Sequence, residues 1–393
     1  MKWLEPSNQE TNPHSLSVGA RSRGLFKIGA SLNPLLSPAR PLEQLEIDGS
    51  YGEGGGQILR TAVAFSIILR RPIRVTKIRA GRGVPGLRTQ HAATLRLLRD
   101  ISSGKLDGAE VGSTEISFEP GTVESASLRI DMKTAASITL ALQAVIPAVS
   151  LSGSTMELEV VGGTDVPWSP TFDYLAFVVK DCFDRVGIRF HAAALRRGYY
   201  PAGGGVVKAR IEKAEMVSPL DMVERGGEPS ASIYSRCGSL PKEVAERQAS
   251  SATKSLRGAG IRVERTVVTR EESQSPGSSI LVCASGHGFV FGSDSLGARG
   301  KRAESVGLEA SGRFLEVALG PPCVDSNLAD MVAPLLMLAP RPSRLLIPGA
   351  TGHLTTSLHV ARLFTGGAYT LERREGCDLL TVFPRGTGQT DAR

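Results

Sequence analysis

The sequence predicts an α/β protein made of repeated units, on two observations. A loop bearing glycine or proline, an amphipathic helix and a strand-like run recur in that order. Residues 79–101 lead to 109–118 and residues 162–182 lead to 186–190, while residues 297–319 and 352–364 carry the same theme. The chain also has 393 residues, 41% of them hydrophobic. That is enough apolar material for one large domain with an insertion, or for two domains with cores of their own.

The first motif is Gly52-Glu53-Gly54-Gly55-Gly56-Gln57-Ile58-Leu59-Arg60, which runs into the apolar stretch 58–69 and predicts a helix there. Glycines let backbone N–H groups face an anion without Cβ interference, and a helix N-terminus adds free donors and a positive dipole end. Glu53 would repel a bare phosphate, so its presence points to a divalent cation shared between carboxylate and phosphate oxygens. The segment is neither a Walker A loop nor a GxGxxG motif, because Gln57 stands where the last glycine belongs. On spacing alone, a structural glycine turn and a phosphate site fit equally well.

Residues 79–91 form a second glycine loop carrying Arg79, Arg82 and Arg88, followed by an amphipathic run over 92–101. Arginine forks pair bidentately with phosphate oxygens, so such a loop suits a charged ligand. In isolation it would read as a solvated basic loop. Beside the first loop it reads as half of a clamp.

Lys and Arg outnumber Asp and Glu by 46 to 39, for a formal charge of +7. This favours a polyanionic partner such as nucleic acid, although a basic surface also serves solubility. The five cysteines, at 182, 237, 283, 323 and 377, include no CxxC pair and no nearby histidine at ligand spacing. They argue for a reducing cytosol and against structural zinc. No apolar run approaches a membrane span and no signal-peptide core is visible, so a soluble cytoplasmic protein with no membrane partner is expected. Residues 1–44 are rich in Ser, Asn and Pro without sustained periodicity and read as a disordered extension; residues 386–393 read as a flexible tail.

Among the histidines, His14 falls in the extension, His191 and His287 fall near expected loops, and His359 follows His353 on one expected helix. By pattern alone, a lone histidine is more often a satisfied surface or core residue than a catalyst.

Further motifs follow in order: Gly162-Gly163-Thr164-Asp165 with Pro167 and Pro170, then Arg197-Gly198-Tyr199-Tyr200-Pro201-Ala202-Gly203-Gly204-Gly205, Val244-Ala245-Glu246-Arg247, Leu328-Ala329-Asp330, and His353-Leu354-Thr355-Thr356. With the two glycine loops, they make the chain resemble the RNA 3'-terminal phosphate cyclases over residues 45–384. The resemblance implies an α/β (α+β) fold of repeated βαβαββ-like units, forming a large domain over 45–213 and 287–385, with a smaller α/β domain inserted at 214–286. Strands over 232–234, 261–269 and 279–284 and a helix over 242–256 are expected in the insertion, which carries no obvious nucleophile. Its expected role is to shape the RNA approach or to stabilise the fold.

The resemblance also implies chemistry: ATP-dependent conversion of an RNA 3'-terminal phosphate to a 2',3'-cyclic phosphate, a ligase-type reaction. His353 would be the nucleophile that accepts AMP, as neutral imidazole can attack the α-phosphorus of ATP. Thr355 and Thr356 would orient the ring or meet phosphate oxygens. Glu53 would hold Mg2+ or Mn2+, and Arg60, Arg79, Arg82 and Gln90 would line the phosphates of ATP and of the RNA end. Gln143, Asn327, Leu328, Ala329, Asp330 and Met331 would form the ATP site, with Asp330 orienting the imidazole or binding metal. Pattern alone reads Gln143 as a solvent-facing helix residue and Asp330 as a cap. RNA with a 3'-terminal phosphate and ATP are the implied partners, and nothing in the sequence gives an oligomeric state.

The chain departs from the family pattern at Asn327, where an aromatic is usual, and at Met331, where glutamine is usual. Residues 133–137 also replace a segment richer in glycine. Asparagine cannot stack on adenine, which leaves Phe289 or Phe291 to make up the stack. Two other classes share this type of fold, namely non-catalytic ribosome-assembly relatives and carboxyvinyl transferases. The former lose the catalytic loop residues and the nucleophile, and the latter have no use for an HxxT nucleophile.

Overall fold

The computed structural model describes residues 43–386. Of the extension expected over 1–44, residues 1–42 with His14 lie outside the described residues, as do residues 387–393 of the expected tail. The first unit runs β1 (Leu45–Asp48), α1 (Gly56–Leu69), β2 (Ile73–Thr76), α2 (Thr89–Ser102), β3 (Lys105–Asp107) and β4 (Ile116–Glu119). Its sheet has the order β1-β2-β4-β3, in which only β1 and β2 are parallel. A parallel pair needs a crossover, and α1 provides it.

The second unit repeats this plan with β5 (Ala126–Asp131), α3 (Ile138–Leu151), β6 (Met156–Gly162), α4 (Phe172–Tyr174), α5 (Lys180–Arg185), β7 (Phe190–Arg196) and β8 (Gly205–Ile211). A π-helical turn, Leu175–Val179, joins α4 to α5. The sheet order β5-β6-β8-β7 matches that of the first unit.

The third unit opens with β9 (Asp221–Met222) and is then interrupted. The chain inserts β10 (Ala231–Gly238), α6 (Lys242–Gly258), β11 (Val263–Glu271), β12 (Gly277–Gly286), β13 (Phe289–Leu296) and α7 (Ala303–Ala318). It then resumes with α8 (Ser326–Leu336), β14 (Ser343–Ile347), α9 (Gly352–Thr365), β15 (Ala368–Arg374) and β16 (Cys377–Phe383), and β9 pairs in parallel with β14. The expected limits 214–286 do not coincide with the inserted sheet. β9 pairs within the third unit, and β13 pairs antiparallel with β12 in the order β11-β10-β12-β13.

The helices share one core. Apolar residues cover most of α1, with Ile58, Leu59, Ala62, Val63 and Phe65 all nearly inaccessible, and this helix packs against α3 and α9. Such a sequence is stable only with partners on several sides. Helix α9 is capped at its start by Thr351, whose hydroxyl accepts from Leu354 N at 2.8 Å, and at its end by Gly366 in a left-handed conformation.

A buried ion network joins the second unit to the inserted sheet. Arg197 meets Asp165 at 3.1 Å and Asp173 at 2.6 Å, and Arg236 of β10 meets Asp173 at 2.5 Å. Asp165, Asp173 and Arg197 are all almost fully buried. The carboxylates next to Arg197 hold its guanidinium charged despite burial. Removing one partner would strand charge in a low-dielectric interior, so Asp173→Ala should destabilise the protein by roughly 3–5 kcal/mol in urea unfolding. An unchanged midpoint and slope would show the network to be energetically idle.

Candidate active site

Helix N-termini from all three units meet at one place. The loop before α1 reaches α9, where Glu53 N lies 3.4 Å from Thr356 Oγ1. Gly52 adopts φ +61 there, and a Cβ at this position would strike the Thr356 hydroxyl, so glycine alone fits. The start of α2 meets α1 at Gly56, where an added Cβ would fall 2.6 Å from His91 Cδ2. Gln90 ties α2 to α3. Its amide nitrogen donates to Ser137 O at 3.3 Å, and Ser137 N donates to its amide oxygen.

None of α1, α2, α3 and α9 has an acidic residue in its first turn, and Gly55 gives α1 no side-chain cap. Helix starts usually place a carboxylate or a capping oxygen on their free N–H groups. Here α1 leaves them open, beside Arg60, Arg79, Arg82 and Arg88. Such a concentration of positive dipole ends and guanidinium groups selects for an anion.

Glu53 supplies the negative charge within this field. Its Oε2 lies 3.1 Å from His353 Nδ1 and 3.5 Å from Arg82 Nη2. His353, the second residue of α9, is half exposed at its side chain. A carboxylate on Nδ1 selects the tautomer that keeps the proton there and leaves Nε2 with its lone pair. Gly352 makes room for this contact, because a Cβ there would sit 2.6 Å from Glu53 Oε1.

Asp330 of α8, expected to orient the imidazole or to bind metal, has no hydrogen bond to His353 among the described residues. Its Oδ1 accepts from Thr351 Oγ1 at 2.7 Å, and its backbone carbonyl accepts from Ser357 Oγ at 3.3 Å. It therefore holds the cap of α9, and reaches His353 only through the helix start. Burial pushes the Asp330 carboxyl up to about 7, against the Thr351 hydrogen bond, which pulls it down. Thr355 and Thr356, expected to orient the ring or meet phosphate oxygens, are held within the helix. Both hydroxyls donate to α9 carbonyls, and Thr356 Oγ1 accepts from the Glu53 loop.

Among the arginines, Arg60 hydrogen-bonds Gln57 at 2.6 Å and is pushed down to about 10 by burial. Arg79 keeps its Nε buried without a partner, and burial followed by its neighbours Arg82 and Arg88 lowers its pKa. His91, which the sequence pattern did not single out, is pushed down to about 4 by burial first and then by Arg60, Arg79 and Arg88. Its Nδ1 accepts from Arg88 N at 3.1 Å. Its place immediately after Gln90 at a helix start was the available signal. Gln90 itself is engaged with Ser137 and with Thr94 at 3.2 Å.

A small pocket between α1, α3 and α8 is lined by Gln57, Arg60, Gln143, Pro147, Met331 and Pro334. Gln143 Nε2 is buried there without a hydrogen-bond partner, so it does not simply face solvent. Leu328 and Ala329 are fully buried in the core, and Asn327 is exposed on the first turn of α8. The proposed substitutes for an aromatic at Asn327 are excluded. Phe289 and Phe291 are buried against each other, with Phe291 also tilted onto Phe314.

The described residues contain no cluster of three or more metal-ligating side chains. Glu53 alone, with phosphate oxygens supplying the rest, fits a small hard cation that keeps much of its own water, but not an all-protein cage.

Against this geometry stand the comparisons with known proteins. The family model described as RNA 3'-terminal phosphate cyclase matches residues 51–371. A relative from Thermococcus gammatolerans bearing that name is 43% identical over 338 residues, covering 85% of this chain and 96% of its own. Relatives of the same name from Methanopyrus kandleri and Ignicoccus hospitalis are each 41% identical, covering 84% and 81% of this chain and 96% and 92% of their own. The solved enolpyruvyl transferase NikO from Streptomyces tendae covers 89% of this chain and 67% of its own at 11% identity, but its TM-score of 0.24 is too low to bear on fold or chemistry.

The raised carboxyl of Asp330 gives a pH dependence. In the unfolded chain it ionises near 3.8, in the fold near 7. Between those values the folded state binds more protons, so its contribution to stability is full below 3.8 and is lost as pH rises toward 7. Asp330→Asn keeps an acceptor for Thr351 but does not titrate, so urea unfolding at a series of pH values should show a flatter profile across that window. A wild-type slope in the variant would contradict the assignment.

Proposed function

The chain belongs to the RNA 3'-terminal phosphate cyclase family, and on that premise we propose that it converts RNA 3'-terminal phosphates to 2',3'-cyclic phosphates at the expense of ATP. The observation that carries this reading is the His353 imidazole, fixed at Nδ1 by Glu53 at 3.1 Å and half exposed at the edge of a cationic field. Neutral Nε2 attacks the α-phosphorus of ATP; an N–P bond forms, the bond to the bridging oxygen breaks, and pyrophosphate leaves. An oxygen of the RNA 3'-phosphate then displaces His353 and takes the AMP. Finally the neighbouring 2'-hydroxyl, losing its proton to solvent, attacks the 3'-phosphorus and expels AMP, closing the cyclic phosphate.

Each step is a displacement at phosphorus, where positioning and charge neutralisation supply most of the catalysis. Arg79 and Arg82 bind phosphate oxygens, and the open N–H groups at the start of α1 add donors. His91 stays neutral and so keeps Arg60, Arg79 and Arg88 from facing a fourth cation. A magnesium or manganese ion held by Glu53 and the phosphates would neutralise charge during transfer. Adenine would be recognised beside Gln143, whose buried Nε2 lacks a partner, with the Met331 thioether supplying a polarisable contact in place of an aromatic stack. No described helix is long and apolar enough to cross a membrane.

Incubation with ATP labelled at the α-phosphate and a divalent metal, followed by denaturation, should leave label on the wild-type chain and none on His353→Ala. Far-UV dichroism should show the variant folded. Full labelling of His353→Ala, or label mapped to His191, His287 or His359, would sink the proposal.

A further inference from the structure

Three loops of the second unit converge beside the catalytic cluster. Residues 132–137 lead into α3, residues 163–170 follow β6, and residues 197–205 link β7 to β8. Ser137 bridges to Gly163, and Asp165 bridges to Tyr199. Thr164 N and Asp165 N both donate to Gly198 O, at 2.8 and 3.2 Å. Gly203 lies so close to the first loop that an added Cβ would be 2.8 Å from Ala135 Cα. The same Ser137 is gripped by Gln90 of α2, so this assembly abuts the anion site directly.

Two aromatic side chains project from these loops into solvent. Trp168 is 97% exposed and Tyr200 is 67% exposed. Trp168 also sits at φ +61, a conformation that costs a bulky residue free energy and that no packing of its own ring offsets. The loop that carries it is anchored on both sides of the tip. Ser169 Oγ donates to Val166 O at 2.8 Å, Thr139 Oγ1 donates to Pro170 O at 2.7 Å, and Asp165 is held by buried Arg197. The Tyr200 loop is braced by the inserted unit, where Ala202 N donates to Ser275 Oγ at 3.0 Å. Exposed aromatics on stiff loops lose little entropy on stacking.

The neighbouring charges are basic. Lys133 is exposed on the first loop and has no ion pair among the described residues, and exposed Arg196 leads into the third. Aromatic tips beside unpaired cations are the elements that hold single-stranded nucleic acid, the rings stacking on bases and the cations following phosphates. Resting on the function proposed above, we infer that Trp168 and Tyr200 form a stacking platform for the unpaired nucleotides upstream of the RNA 3'-phosphate. This gives the enzyme a preference for single-stranded ends without regard to sequence, since every base offers a π-face. It also gives the inserted unit a task, to stiffen the platform through Ser275.

The chain has two tryptophans, Trp3 and Trp168, so Trp3→Phe leaves Trp168 as the only tryptophan reporter. Titration of that protein with a single-stranded oligoribonucleotide ending in a 3'-phosphate, without ATP or metal, should quench its fluorescence. A nucleoside 3'-monophosphate, which has no upstream base, should not. Trp168→Ala and Tyr200→Ala should each weaken oligonucleotide binding about tenfold by anisotropy, Trp168→Phe should retain most of it, and labelling from ATP should stay at the wild-type level in all three. Absence of quenching, or wild-type affinity in both alanine variants, overturns the platform. Quenching by the oligonucleotide in a protein that takes no label from ATP would instead sink the catalytic proposal and leave the platform standing.

Discussion

The site depends on where the repeated units leave their helix starts. In each βαβαββ unit a helix starts just past a strand, and α1, α2, α3 and α9 all bring their N-termini to one locus. Four positive dipole ends and four arginines in one place would repel one another in an empty fold. The arrangement persists because buried apolar contacts of α1 with α3 and α9 fix the helices independently of charge. Packing energy is thus used to hold an electrostatic field in place.

Within that field the position of each polar group follows from two constraints. A carboxylate is needed to fix the His353 tautomer, yet any carboxylate weakens anion binding. Glu53 meets both demands by sitting on a glycine loop held at Thr356, where Arg82 offsets its charge. Asp330 works one step further back, through the Thr351 cap. The same division holds at the other end of the site, where Gln90 is committed to bracing Ser137.

Much of this is legible in the sequence. The recurring loop, helix and strand theme and the ordered motifs pointed to repeated βαβαββ units, and the elements of the insertion lay within a few residues of β10, α6, β11 and β12. The two glycine loops were visible because glycine and arginine patterns are local. What stayed hidden depends on contacts between segments distant in sequence. That Glu53 meets His353, 300 positions away, that Asp330 meets a cap and not the ring, and that Gln90 is committed to Ser137 are tertiary facts without a local pattern. The burial of Phe289 and Phe291 is hidden for the same reason. Their spacing suits a strand, but only the packing of α7 shows that both faces are covered. The second-unit motifs were recognisable as motifs, but that Arg197, Asp165 and Asp173 form a buried ion network required the fold.

In the mechanism proposed here, Glu53 holds the Nδ1 proton of His353 and leaves Nε2 to attack phosphorus. Nuclear magnetic resonance of protein carrying 15N-labelled histidine, after reaction with ATP, distinguishes the two nitrogens. A one-bond phosphorus coupling to Nε2 of His353, with Nδ1 still protonated, is expected. Coupling to Nδ1, or to a histidine elsewhere in the chain, would contradict it.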